Sequence, residues 1–177
     1  ISMKKLIARL KKEFNSKPSP GILLNQLGEE KLSQLIARYP NHNSDALWIG
    51  AYLADMFITE AIQTGDITRH VPMALNYAKE IIAKEGIGED DAQIIIELIA
   101  THHGGEQKHL ESRLFKNADC FKFLHPRGVF HIFSSYYKPT TPEGFAKGMQ
   151  YAMFKVEEKF ALVDLDEELK KEAKELY

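Results

Sequence analysis

The sequence predicts an all-α, single-domain helical bundle. Three observations carry that prediction. Apolar residues recur at steps of three and four through most of the chain, as on one face of a helix. Helix start and stop signals divide the chain into segments of helical length. Strand-like alternation is scarce. The length, 177 residues, suits one domain with a sizeable core, and no internal repeat or low-complexity tract interrupts it.

The elements follow in order. Lys4 to Phe14 reads as an amphipathic helix, and KPSPG at 17–21 breaks it. Ile22 to Tyr39 is a second helical segment, which Gly28 is expected to interrupt. Pro40 to Asn43 is a turn, and Ser44 is placed to cap a helix from Asp45 to Thr64 that ends at Gly65. Val71 to Lys84 is the next helix, closed by Gly86. GIGEDD at 86–91 opens another that runs to His103, where Gly104 and Gly105 stop it. Lys108 to Leu124 is helical. His125 to Lys138 fits either a short helix or a strand. Thr141-Pro142-Glu143 is a helix start with Thr as the cap and Pro in the first turn, and that helix extends to about Leu162. Asp164 to Tyr177 is a charged terminal helix with a solvated face.

Composition excludes several function classes. Apolar residues make up 44% and charged residues 27%, as in ordinary soluble globular chains. A net charge of -2 lacks the basic surplus of a dedicated nucleic-acid binder. No run approaches the ~18 apolar residues of a membrane span, so no membrane partner is expected. The basic, amphipathic start ISMKKLIARLKKEF lacks the continuous apolar region of a signal peptide. The single cysteine, Cys120, excludes an internal disulfide framework and fits a reducing cytoplasm. Directly after Asp119, it points about 100° away on a helix, which suits core filling.

Several polar residues fall on apolar stripes. Trp48, Ala51, Tyr52, Asp55, Ile58 and Ile62 share one helical face, so Asp55 sits among apolar neighbours. A buried carboxylate is costly unless it is neutral, paired or bound to a metal. His70 starts a stripe with Ala74, Tyr77, Ala78 and Ile81. Ile95, Leu98, Ile99 and His102 make a third, and His103 adjoins it. Asp119 lies one turn from Phe115 and from Phe123. One core histidine usually just donates to a backbone carbonyl. Three histidines with one or two aspartates, if they converge, make a metal site of mixed nitrogen and oxygen donors. The other histidines read more plainly: His42 in an exposed turn, with reach toward Asp55 as the alternative, His109 and His125 at helix ends, and His131 half-buried between Phe130 and Ile132, with a pocket wall as the alternative.

At these residues the chain resembles the HD-domain superfamily of metal-dependent phosphohydrolases. AYLADMF at 51–57 looks like the helix that carries the family's His-Asp doublet. HVPMALNYAKEIIAKEGI at 70–87 looks like the next helix, which begins with a histidine. LIATHHGG at 98–105, followed by LESRLFKNADCFKFL at 110–124, looks like the paired histidines and the final aspartate. The resemblance implies an HD-type core at about 45–125, with N-terminal helices at 4–39 and C-terminal helices at 142–177 packed on it.

The departures are specific. The doublet reads Ala54-Asp55, so its histidine is missing. No histidine stands at 15–35, where the family's first metal histidine would fall; His42 is too close to the doublet to match. The Gly-Lys that often follows the doublet is replaced by Met56, Phe57 and Ile58. Mapped by the resemblance, one metal site has lost both histidines and keeps Asp55 and Asp119. The other keeps its full set: Asp55, His70, His102 and His103. The resemblance therefore implies one divalent transition metal (zinc, iron, manganese or nickel). Asp55 and Asp119 are the expected catalytic carboxylates, and Asp119 is an additional weak ligand or a base. The implied activity is hydrolysis of a nucleotide or other small phosphate ester; the alternative is an inactive metal- or ligand-binding sensor module. Glu106 is a second candidate base. Arg69, Lys108, Arg113 and Lys122 flank the ligand blocks and are candidate phosphate contacts, and 128–137 is a candidate wall. The aromatic-rich C-terminal third offers a surface for a homodimer.

Overall fold

A computed structural model describes residues 2–17, 22–136 and 140–177. Every regular element among them is helical, so the chain is all-α. The helices are α1 (Met3–Ser16), α2 (Ile22–Arg38), α3 (Ser44–Ala54), α4 (Ile58–Gln63), α5 (His70–Glu85), α6 (Glu89–Thr101), α7 (Leu110–Leu124), α8 (Pro126–Tyr136), α9 (Pro142–Ala161) and α10 (Glu167–Leu176), with a 3₁₀ turn at Ile67–Arg69 before α5. They gather into two compact units. One comprises residues 1–19 and 39–116, the other 20–38 and 117–177.

In the first unit α3 packs against α6 and α1, and α5 packs against both α6 and α3. Leu6 and Leu10 of α1, Leu47, Ile49 and Leu53 of α3, and Ile95, Leu98 and Ile99 of α6 are fully buried. Gly50 permits the close approach of α3 to α6: a Cβ there would stand 3.1 Å from the Leu98 methyls. In the second unit α8 packs against α9 and α2. Its core includes Leu32, Leu35, Leu124, Ile132 and Leu169. Asn117 pins the segment before α10, donating to Asp164 Oδ1 (3.1 Å) and accepting the Asp164 N–H (2.9 Å).

Most expected helices are present, with differences that have local causes. The segment expected as one helix over 45–64 is two, because the chain turns at Asp55–Phe57. There Met56 N–H donates to Leu53 O and Ile58 N–H to Asp55 O, a tighter pattern than the α-helix. Ile58 and Ile62 therefore leave the stripe of Trp48 and Asp55. Asn43, not Ser44, caps α3: its side chain accepts the Ala46 N–H at 3.1 Å. Gly28 does not interrupt α2. The ambiguous segment after His125 is helical as far as Tyr136. Thr141 caps α9 as expected, accepting the Gly144 N–H at 3.0 Å. The break expected at KPSPG falls, beyond Lys17, outside the described residues.

Candidate metal centre

Three local structures in the first unit position the site. Asp55 caps the C-terminus of α3, where the helix ends and its carboxylate leaves the helical path. His70 is the first residue of α5, delivered by the 3₁₀ turn whose N-cap is Asp66. His102 caps α6, and His103 follows. α6 stops at Thr101 rather than His103. Gly104 and Gly105 then take φ values of 126° and 112°, conformations that side-chain-bearing residues avoid. The chain thus turns sharply away directly after presenting both histidines.

Asp55, His70, His102 and His103 form a group that can hold a metal ion: one donor atom from each lies within 4.8 Å of all the others. His70 Nε2 is 3.4 Å from His102 Nε2 and 3.0 Å from His103 Nε2. Asp55 Oδ1 lies 3.5 Å from His102 Nε2 and 3.8 Å from His70 Nε2. Donors at ~2.0–2.1 Å from a tetrahedral zinc stand ~3.3 Å apart, so most of these spacings suit one ion with no rearrangement.

The hydrogen bonds behind the ligands fix which nitrogens face inward. His70 Nδ1–H donates to Ile67 O at 2.5 Å, and His102 Nδ1–H donates to Ile99 O at 2.7 Å. This assignment follows from the acceptors present. Both rings then aim Nε2 at the shared centre. A cation at that centre would accept both lone pairs. Carbonyl-anchored imidazoles of this kind are the usual support of metal-ligating histidines. His70 and His102 are buried, the Asp55 side chain is 7% exposed, and His103 is exposed. The group therefore opens to solvent on the His103 side.

No family model matches this chain, and no curated protein or solved structure matches it.

Asp119 is not in this four-residue group. It belongs to the second unit, 3% exposed on α7. Its Oδ1 takes the Lys122 ammonium at 2.6 Å and its Oδ2 the Lys159 ammonium at 2.9 Å. Lys159 is 2% exposed. Burial works to lower its pKa, but the facing Asp119 carboxylate outweighs that and holds it above the usual lysine value. Lys122 is thus not a surface cation offered to phosphate; it is buried against Asp119.

Other candidates are also placed. Arg69, Lys108 and Glu106 are exposed in the first unit, and Arg113 is half-buried there. His42 donates through Nδ1–H to Tyr39 O at 2.7 Å and stands outside the ligand group. Its Nε2 is buried without a hydrogen-bond partner. Cys120 is a fully buried thiol outside the ligand group. His131 and Phe130 lie on α8 in the second unit.

Glu97 was not singled out by the sequence, yet it secures the chain beyond the paired histidines. Its Oε1 accepts the backbone N–H groups of Lys108 and His109, both at 2.9 Å, and its Oε2 faces His109 Nδ1 at 2.9 Å. Gln107 ties the same segment to Thr101 O at 3.2 Å. Burial works to raise the Glu97 carboxyl, but the His109 backbone N–H and imidazole outweigh it and hold it below its ordinary range. The available signal was a glutamate one turn before Thr101, set in the apolar run from Ile94 to Ala100.

Proposed function

We propose that the chain binds one divalent transition metal through Asp55, His70, His102 and His103 and uses it to hydrolyse a nucleotide or other small phosphate ester. The convergence of three imidazole nitrogens and one carboxylate, two of the imidazoles anchored on backbone carbonyls, carries the reading. Resemblance of the same residues to the HD-domain ligand blocks supports the substrate class. When bound, the ion supplies Lewis acidity toward a phosphoryl oxygen and toward water. Asp55 contributes the negative charge that a set of neutral imidazoles lacks. His70 and His102 hold their orientation through Ile67 O and Ile99 O, which limits reorganisation during the reaction. Exposed Glu106, three residues beyond His103, is the proton acceptor in this reading. Arg69 and Lys108 are the phosphate contacts.

A second reading, a metal-binding sensor or interaction module without turnover, has its own support. Asp119, the base implied by the resemblance, carries two ammonium groups. Ala54, fully buried, brings no donor to the doublet position. In both readings Asp119 is the counter-ion of Lys122 and Lys159. A screen of nucleotides and generic phosphate esters with added manganese separates the two. Turnover that disappears in Asp55→Ala supports the hydrolase. One equivalent of bound metal without turnover of any ester supports the module.

A further inference from the structure

Remote from any question of metal, the second unit exposes more apolar surface than a solvated face requires. Phe130 of α8 is 69% exposed, and Phe145, Met149 and Met153 of α9 are 52%, 41% and 58% exposed. α8 and α9 are joined by an edge-to-face contact of Phe133 with Phe145, ring centroids 5.1 Å apart. Between them runs an apolar groove of about 600 Å³, lined by Val129, Phe130, Phe133, Met149, Met153 and Val156 among others.

We propose that this face is the contact between two copies of the chain, related by a two-fold axis near Met149. Two observations select a second copy. Side chains of this size carry ~150–250 Å² each, so the exposed parts of Phe130, Phe145, Met149, Met153 and Tyr177 sum to roughly 500–600 Å². With the partly buried groove walls the face approaches the ~800 Å² per partner of a stable interface. Next, the exposed stripe on α9 is Phe145, Met149 and Met153, at steps of four and symmetric about Met149. Two antiparallel copies of α9 then set Met149 against Met149 and Phe145 against Met153, as a self-complementary contact requires.

The test is the mass of the full chain in solution, by sedimentation velocity over a concentration series. The expected mass is near twice the 20.2 kDa of one chain. Met149→Glu with Met153→Glu is expected to give monomers with an unchanged far-UV circular dichroism spectrum. Met149→Cys reads the geometry separately. Mild oxidation should link it to its copy across the axis, whereas the wild type, whose one thiol is buried, should give no cross-link. A wild type that stays monomeric throughout overturns the proposal, as does a dimer that survives both glutamates or a Met149→Cys variant that dimerises without cross-linking. A monomeric chain whose face takes up an apolar dye assigns the face to another partner and equally refutes the two-fold contact.

Discussion

Replacing Asp119 with asparagine removes one negative charge and almost no volume. It leaves the ammonium groups of Lys122 and Lys159, 7% and 2% exposed, without the carboxylate that now faces both. Breaking a buried ion pair from one side costs about 3–5 kcal/mol. For a chain of this length each kcal/mol moves the melting temperature by roughly 2–4 °C, so Asp119→Asn should melt about 10 °C below the wild type. Thermal and urea unfolding followed by circular dichroism measure the loss, and metal content is determined on the same samples. Lys159→Met, which leaves Lys122 on Asp119 and fills the space with apolar atoms, should cost clearly less. The alkaline side has a definite sign. The Asp119 carboxylate holds Lys159 above the ordinary lysine range when folded, so its contribution is complete below the ordinary value and is lost as pH rises through the folded one. The gap between Lys159→Met and the wild type should therefore be constant near neutrality. An Asp119→Asn variant that melts like the wild type but has lost its metal would refute the reasoning and make Asp119 a ligand.

Other outcomes follow from the same geometry. A metal at 100 times its dissociation constant adds about 2.7 kcal/mol, so chelator should lower the wild-type melting temperature by roughly 5–10 °C. It should leave His102→Ala unmoved, since that ligand is fully buried at the centre of the group; an equal shift in both would place the metal elsewhere. Glu97→Gln should remove part of the acid sensitivity. The Glu97 carboxyl is held below 4.5, so its stabilisation is present above its unfolded pKa and is lost as pH falls through the lower folded value. Urea midpoints of wild type and Glu97→Gln should therefore converge as the pH falls below the ordinary glutamate range. A difference that persists undiminished would show that the carboxylate charge is not what holds the Lys108–His109 turn.

Much of the fold was legible because helix signals are local. Thr141-Pro142 announced α9, and Gly86 closed α5 as expected. The third apolar stripe, Ile95, Leu98, Ile99 and His102, is buried throughout. Illegible features depend on partners far along the chain. The turn at Asp55–Phe57 has no Gly or Pro to mark it, so periodicity ran straight through. The segment expected as one N-terminal pair divides, α1 with the first unit and α2 with the second. Lys159 carries no mark of its pairing in sequence, because only the folded chain brings it against Asp119, 40 residues earlier; the Asp119–Lys122 pair stands at i,i+3 on α7, and there it is the burial that sequence does not show. The stripes singled out the four residues together with Asp119, and the resemblance alone separated the four as one ligand set. The carbonyl anchors at Ile67 and Ile99 could not be named, since a backbone acceptor leaves no mark on residue identity.

The most direct test of the metal centre is the metal content of protein purified without chelator, beside a variant carrying both His102→Ala and His103→Ala. A preparation stripped during purification is titrated with manganese, iron and zinc. The account predicts one equivalent of a divalent transition metal in the wild type and none in the variant. A wild type that takes up none of the three ions, and whose melting temperature is indifferent to all of them, would contradict it.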